Sequence, residues 1–283
     1  MVEPTLAQMK RMQELELDML RAFIHVCGKL SLRYYLVGGT LLGAVRHQGF
    51  IPWDDDIDIS MPRADYDIFL REGQKHLPGH LFLQSICSEP DYHLNFAKIR
   101  DNRTTFVEYA VRKRQIHHGV FIDIFPLDEY PLEPRARKTM DRYQMIFKYR
   151  LRSEMEIPAQ ARHGAAAEAG LSCLELLSKL RYPNYRKMLE ARERIQSGAR
   201  GSDTWVNYCG AWGRKEIMPA DWYGEGTQLT FEGLAVMVPS QWEKWLTQIY
   251  GDYMCLPPVE KRVSHHYAER IALDTPWKDT ASK

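Results

Sequence analysis

The segment WDDDIDISM, residues 53–61, constrains the fold more than any other part of the sequence because its aspartates alternate with apolar residues. Alternation with a period of two is typical of a half-buried β-strand, in which successive side chains point to opposite faces. We therefore predict a strand over 56–61 with its isoleucines in the core. Asp56 and Asp58 then lie on the opposite face, with their carboxylates close together.

Carboxylates held on one strand face repel each other by about 1 kcal/mol or more per pair, depending on the local dielectric. A hard divalent cation relieves this repulsion, and carboxylate oxygens are the ligands that Mg²⁺ prefers. A solvated acidic turn is the alternative, but the isoleucines anchor the strand in a core and favour a metal site. Asp54 falls on the same face as Asp56 and could bind the cation directly or through water.

A second feature is the pair Gly38-Gly39, which follows a predicted strand over 34–37 and precedes a short predicted helix that Thr40 caps. Glycines let the backbone approach an anion, and the amides of a helix N-terminus can bind a phosphate. A tight turn without a ligand is the commoner explanation of such a pair.

A third feature is Asp123, the one acidic residue in the apolar run FIDIF at 121–125. We predict a strand over 119–125 that ends at Pro126. A buried carboxylate is costly unless it is paired or bound to a cation, so Asp123 is a further candidate metal ligand. An ion pair with an arginine is the alternative.

The rest of the sequence predicts strands and helices interleaved in the first half and mainly helices behind them. This order indicates a mixed sheet flanked by helices. The predicted helices are 5–29, 63–76, a helical stretch over 134–197 broken near 163–164 and at 183, and 240–250; the further strands are 81–86, 96–100, 104–109, 228–231 and 234–238. The last two strands flank Glu232-Gly233 as a hairpin.

Composition excludes several classes of protein. Lys and Arg number 38 and Asp and Glu 37, so the net charge of +1 gives no general attraction to nucleic acid. No apolar run approaches the roughly 18–20 residues of a membrane span, and the first residues lack the apolar region of a signal peptide. Five cysteines without a CxxC pair argue against structural zinc and for a reducing compartment. We therefore expect a cytoplasmic enzyme.

The motif GGTLLGAVRHQGFIPWDDDIDI, residues 38–59, resembles the signature of the LicD family, which is related to fukutin and fukutin-related protein. The segment HHGVFIDIFPLD at 117–128 is similar to a second motif of that family. FEG at 231–233, YGDYM at 250–254 and PPVEKRVSHH at 257–266 are similar to its C-terminal features. The resemblance covers most of the chain and is weakest over 134–205.

This resemblance implies an α+β fold of the nucleotidyltransferase type, a mixed β-sheet flanked by helices with a helical insertion. It implies a single catalytic domain over 1–283. Within it we expect a catalytic core at about 30–130, the insertion at about 134–205, and a C-terminal hairpin and closing segment at about 206–283.

The activity that the resemblance implies is a metal-dependent phosphotransferase. Such an enzyme moves phosphocholine, or a related alcohol phosphate, from CDP-choline or another CDP-alcohol to a sugar hydroxyl. The acceptor is a cell-surface glycan such as lipopolysaccharide or teichoic acid, or its lipid-linked oligosaccharide precursor, and two Mg²⁺ or Mn²⁺ ions are the expected cofactors. Alternatives are a nucleotidyltransferase acting on a small hydroxylated acceptor and a non-catalytic metal- or glycan-binding module.

Carried over position by position, the resemblance makes Asp56, Asp58 and Asp123 the catalytic metal carboxylates, with Asp54 as a further candidate ligand. Asp123 is also the candidate base, and the alternative is that the bound metal makes a protein base unnecessary. The implied substrate-binding residues are Gly38, Gly39, Thr40, Arg46, Lys98, Arg100, Glu232 and Arg262, and His265 and His266 close over the site with Arg262. Charges that protect a sheet edge are the alternative for Lys98 and Arg100. A turn residue is the alternative for Glu232.

The stretch 135–152 contains seven basic residues and one acidic residue, with apolar residues at helical spacing. Such a helix could lie on an anionic membrane and bring the enzyme to a lipid-linked acceptor at the inner face of the membrane. A solvated helix that packs one face on the core is the alternative.

Overall fold

The computed structural model describes residues 2–156, 165–264 and 266–280. Within them the helices are α1 (Leu6–Leu30), α2 (Gly38–His47), α3 (Arg63–Glu72), α4 (Pro134–Arg152), α5 (Ala165–Arg181), α6 (Tyr185–Gln196), α7 (Ala220–Tyr223), α8 (Trp242–Tyr250) and α9 (Trp277–Thr280). The strands are β1 (Tyr35–Leu36), β2 (Asp58–Pro62), β3 (Leu81–Gln84), β4 (Ala97–Asp101), β5 (Thr105–Glu108), β6 (Phe121–Glu129), β7 (Thr204–Val206), β8 (Ile217–Pro219), β9 (Thr227–Phe231), β10 (Leu234–Val238) and β11 (Ala268–Ala272).

The main sheet is mixed and has the strand order β1-β2-β6-β4-β3. Strands β2 and β6 are parallel, while β1, β4 and β3 join them in antiparallel pairs. β7 and β8 extend the sheet from the C-terminal end of β6, and the pairs β9–β10 and β5–β11 form two small separate sheets. The predicted α+β class with a mixed sheet is confirmed.

Helix α1 covers the sheet because its apolar residues repeat at helical spacing and form one buried stripe. Phe23, at the centre of that stripe, contacts the rings of Tyr34 and Phe69 edge to face, with centroids 5.2 and 5.1 Å away. The helix begins as predicted, since Thr5 and Gln8 form both bonds of a capping box.

Removal of this cap should weaken the start of α1. We expect Thr5→Ala to lower the free energy of unfolding by about 1 kcal/mol, because the backbone N–H of Gln8 loses the Thr5 hydroxyl oxygen that accepts its hydrogen bond. Urea unfolding measures the change. Thr5→Ser keeps the hydroxyl and is the matched control, and an equal loss in both variants would contradict the capping argument.

Three boundaries differ from the predictions. Helix α2 begins at Gly38, so Thr40 lies inside its first turn and is not its cap. Strand β2 begins at Asp58, so Asp56 precedes the strand. Strand β6 does not end at Pro126 but continues to Glu129, and this is tolerated because β4 pairs with β6 only as far as Ile124.

Most other elements form as predicted. The β9–β10 hairpin turns at Glu232 and Gly233 with φ values of 49° and 74°, the left-handed pair typical of a tight two-residue hairpin turn. Three helices, α4 to α6, occupy the predicted helical stretch. The predicted break near 163–164 and His265 lie outside the described residues. No helix in the described part of the chain combines the length and apolarity needed to cross a bilayer.

Candidate active site

The turn between β1 and α2 lies directly against the acidic segment. Gly38 has a φ of +58°, and a Cβ atom there would lie 2.5 Å from Oδ2 of Asp58. A Cβ atom on Gly39 would collide with the carboxylate of Asp54. Both glycines are therefore needed for the close approach of the helix N-terminus to the two carboxylates.

Thr40 fixes the position of Asp58. Its buried hydroxyl oxygen accepts a hydrogen bond from the Asp58 backbone N–H at 2.8 Å, and the Val37 N–H donates to the Asp58 carbonyl at 3.1 Å. This hydrogen bond joins α2 to the start of β2, and the phosphate contact of the Thr40 side chain stays a prediction.

Thr40→Val removes the hydroxyl oxygen that accepts from Asp58 but keeps the shape of the side chain. We expect it to lower the free energy of unfolding by about 1–3 kcal/mol. The reason is that the buried Asp58 N–H loses its partner. Thermal and urea unfolding measure the loss. Thr40→Ser keeps the acceptor and should retain most of the stability; if Thr40→Ser is as unstable as Thr40→Val, the hydroxyl does not hold Asp58.

The carboxylate residues converge although they are distant in sequence. Asp58 and Asp123 are paired neighbours on the parallel strands β2 and β6, and the Asp123 N–H donates to the Ile57 carbonyl at 2.8 Å. Asp54, Asp55 and Asp56 each place a carboxylate oxygen within 4.8 Å of the others. Besides burial, the charges of Asp56 and Asp123 raise the pKa of Asp58, so the three predicted carboxylates are neighbours. Which carboxylates bind a cation stays a prediction.

Burial and mutual repulsion both act on this acidic cluster of Asp54, Asp55, Asp56, Asp58 and Asp123. Burial, followed by the charge of Asp56, raises the pKa values of Asp54 and Asp58 well above the usual range. Burial also raises the pKa of Asp56 to about 6, against the opposing charge of His266. The ionised cluster is therefore electrostatically unfavourable without additional positive charge.

Lys98 supplies part of that charge from β4. Its ammonium group is buried, lies 2.8 Å from Oδ1 of Asp123, and stands 3.4 Å from the ring centre of Phe121. Burial raises the pKa of Asp123, and Lys98 opposes the shift. The alternative of an ion pair at Asp123 is therefore found, with Lys98 as the partner in place of an arginine.

The C-terminal segment reaches the cluster through Asp55. Ser264 Oγ and the backbone N–H of His266 donate to the Asp55 carboxylate, and His266 Nδ1 lies 3.2 Å from it. Although burial opposes its charge, the hydrogen bond and charge of Asp55 raise the pKa of His266 to about 10. His266 therefore lies where the C-terminal motif predicted, and Asp55 is the residue that holds it.

Sequence reasoning missed Glu16 of α1. Its side chain is 1% exposed, and its Oε2 has no hydrogen-bond partner in the described part of the chain. Burial, followed by the charge of Asp56, raises the pKa of Glu16 well above its usual value. The sequence did contain a signal for its burial. Glu16 lies four residues after Met12 and four before Leu20, so it falls on the buried apolar stripe of α1.

Two predicted cations lie at the rim near Asp54. Arg46 Nη1 donates to the Tyr253 carbonyl at 2.9 Å, and its charge favours the ionised form of Asp54. The Arg262 guanidinium stands 5.4 Å from the ring centre of Trp53. Both arginines thus connect the acidic motif to the C-terminal segment.

Two other predicted substrate contacts are engaged elsewhere. Arg100 is fully buried and donates to Glu108 at 2.9 Å and to the Gly119 carbonyl at 2.8 Å. The Glu232 carboxylate accepts from the Phe50 N–H at 3.1 Å and so fixes the loop after α2. In this structure both side chains hold the protein framework around the site.

The donor set of the cluster fits a hard divalent cation. The side chains of Asp54, Asp55 and Asp56 offer carboxylate oxygens, and among the described residues Lys98 contacts Asp123 and His266 contacts Asp55. Oxygen ligands of this kind suit Mg²⁺ and Mn²⁺, whereas softer metals favour sulfur and nitrogen. Positive charge inserted here would also relieve the repulsion that raises the pKa values of Asp54 and Asp58.

The chain is similar in sequence to proteins of one family. Residues 31–162 match the nucleotidyltransferase domain of the LicD/FKTN/FKRP family. The lipopolysaccharide cholinephosphotransferase LicD of Haemophilus influenzae is 32% identical over 266 residues, which are 91% of this chain and 95% of the relative. The ribitol 5-phosphate transferase FKRP of Homo sapiens is 46% identical over 45 residues, 16% of this chain and 9% of the relative.

A shorter match, 29% identical over 109 residues, connects the chain to an uncharacterised protein of Rickettsia prowazekii; these residues are 36% of this chain and 41% of that protein. Because the Haemophilus influenzae match extends over nearly the whole of both proteins, the chain belongs to the LicD family. It is therefore an enzyme of the LicD transferase type, and the alternative of a non-catalytic binding module is not supported.

Proposed function

We propose that the protein transfers an alcohol phosphate, with phosphocholine as the first candidate, from a CDP-activated donor to a sugar hydroxyl of a cell-surface glycan or its lipid-linked precursor. The observation that carries the proposal is the convergence of the acidic cluster with the glycine turn at Gly38 and Gly39. The family membership adds support, since the relatives are named for transfer of phosphocholine and of ribitol 5-phosphate.

In this proposal Asp56, Asp58 and Asp123 hold one or two Mg²⁺ or Mn²⁺ ions, with Asp54 as an additional ligand. Divalent ions at such a site neutralise charge on the phosphates and lower the pKa of a bound hydroxyl. The strands β2 and β6 keep the carboxylates of Asp58 and Asp123 in fixed positions, so little reorganisation of these two is needed when substrate binds.

The residues of the chain position the reacting groups. The backbone amides at the start of α2 face the donor phosphates, because Gly38 and Gly39 have no side chains to block them. The oxygen of the acceptor hydroxyl attacks the phosphorus that carries the alcohol, the bridging P–O bond breaks, and CMP leaves. Asp123 accepts the hydroxyl proton, and Lys98 beside it stabilises the negative charge of the carboxylate before transfer.

Product analysis tests this proposal. The protein is incubated with Mg²⁺ and, in turn, CDP-choline, CDP-ethanolamine, CDP-ribitol and CDP-glycerol, and the released nucleotide is identified by chromatography. We expect slow, EDTA-sensitive release of CMP from one donor, accelerated by a glycan acceptor. Pyrophosphate release from CTP with transfer of the nucleotide to the acceptor would instead establish the nucleotidyltransferase alternative.

A further inference from the structure

A cavity of about 770 Å³ lies between helices α4 and α6 and the segment that follows β7. Phe96, which precedes β4, forms part of its wall on the side nearest the acidic cluster, although no residue of the cluster lines the cavity among the described residues. The Phe96 ring packs against Phe125 at a tilt of 45° with the ring centres 4.5 Å apart, and its centre is 5.6 Å from the ammonium of Lys98, the partner of Asp123. The cavity and the candidate catalytic residues therefore share one face of the sheet.

The floor of the cavity contains an unusual buried charge, the guanidinium of Arg192 on α6. Arg192 is 2% exposed, and its guanidinium stands 3.6 Å from the ring centre of Phe147. It donates to neutral acceptors, Asn95 Oδ1 at 3.2 Å and Gln144 Oε1 at 2.8 Å, and it forms no ion pair with any carboxylate that the structure describes. A buried charge is normally compensated by a charge of opposite sign, so this position favours an anion from outside the chain.

The walls add to this preference. Lys148 stands exposed at the rim without an ion pair in the described ranges, while Arg214 and Asp141 neutralise each other at 3.1 Å. The remaining lining is largely apolar and aromatic and includes Tyr130 and Tyr208. A positively charged cavity with aromatic walls and a volume in the usual range of ligand sites is complementary to a ring compound that carries negative charge.

We propose that this cavity binds the glycan acceptor and that the acceptor is anionic, a saccharide carrying a phosphate or carboxylate group. The proposal rests on the proposed function, since it assigns the second substrate of the same reaction. The glycine turn approaches the cluster from the β1 side, whereas Lys98 and Phe96 lie on the β4 side. Donor phosphates and acceptor sugar thus reach the carboxylates from opposite sides.

Binding measurements test the cavity. Glucose 6-phosphate, glucuronate and glucose serve as probes in calorimetric or saturation-transfer NMR titrations of the full chain. We expect the two anionic sugars to bind at least about tenfold more tightly than glucose, with an affinity that falls as salt increases. Equal affinity for all three sugars, or no binding of the anionic sugars, would overturn the proposal.

Variants locate the site. Arg192 is buried and donates several hydrogen bonds within the protein, so exposed positions are used for the test. Lys148→Glu reverses a rim charge, and Ala211→Trp fills the opening. Each should weaken binding of glucose 6-phosphate by about threefold or more. Arg135→Glu, on the exposed face of the same helix α4 and outside the cavity, is the matched control and should bind normally. If the control weakens binding as much as Lys148→Glu, the anion binds elsewhere.

Release of CMP from the CDP-alcohols, measured without any sugar, separates this proposal from the proposed function. If the wild-type protein releases no CMP from any donor, the proposed function fails. If CMP is released but the sugar-phosphate affinity is the same in wild type, Lys148→Glu and Ala211→Trp, the cavity is not the acceptor site. Release of CMP together with weaker binding in both cavity variants supports the two proposals jointly.

Discussion

Asp58→Asn is expected to lower kcat/KM by roughly 10²–10³-fold or more while the fold is kept. The amide has the size of the carboxylate but lacks its charge, so it is a poor ligand for a hard cation. Two contacts position Asp58: its backbone N–H donates to the Thr40 hydroxyl oxygen, and Gly38 packs closely against its carboxylate. The effect should therefore fall on turnover and cation binding, since the backbone contacts of Asp58 remain.

Thermal unfolding in EDTA provides the second measurement for this variant. Without a cation, removal of one negative charge relieves repulsion in the acidic cluster, so Asp58→Asn should melt at the same temperature as wild type or slightly above it. Asp67→Asn on the exposed side of α3 is the matched control and should keep full activity. Destabilisation of Asp58→Asn by several kcal/mol in EDTA would show that the carboxylate has a structural role and would contradict a metal site.

Gly39→Ala should reduce activity by about 10²-fold, comparable to the removal of a direct transition-state contact. The new methyl group would occupy the place of the Asp54 carboxylate, so either α2 or the acidic segment must move. We also expect a loss of about 1–3 kcal/mol in the free energy of unfolding, as for other overpacked sites. Activity assays and urea unfolding measure the two effects.

Gly28→Ala is the matched control for that substitution. Gly28 lies inside α1, and an added Cβ atom there meets no atom within 4 Å. Because alanine is the better helix former, this control should raise the stability by about 0.5–1 kcal/mol and leave activity unchanged. Normal activity in Gly39→Ala would mean that the turn does not need to approach Asp54.

Local patterns were sufficient to predict the elements that carry the site. The alternation at 56–61 predicted a strand that the structure shows at β2, and the run around Asp123 predicted β6. Asp58 and Asp123 lie side by side, as predicted, because β2 and β6 pair in the sheet. The start of β2 was predicted two residues too early. Asp56 continues the alternating pattern, but the pairing of β2 with β6 begins only at Asp58.

Contacts between distant segments could not be read from local patterns. Glu16 follows the helical period of α1 and was therefore hidden among core residues, although it is buried beside the acidic cluster. The substrate contact of Lys98 stays a prediction, but local patterns did not predict its ion pair with Asp123, which follows from the antiparallel pairing of β4 and β6. The contact of His266 with Asp55 joins residues more than two hundred positions apart, which no periodicity predicts.

We expect the carboxylates of the acidic cluster to bind a divalent cation next to the glycine turn. Crystals grown with Mn²⁺ and CDP-choline, measured at the manganese absorption edge, test this expectation most directly. We predict an anomalous peak bonded to carboxylate oxygens of Asp58 and Asp123 and lost in crystals of Asp58→Asn. Ordered donor with no peak between these side chains, or a peak that persists unchanged in Asp58→Asn, would contradict the claim.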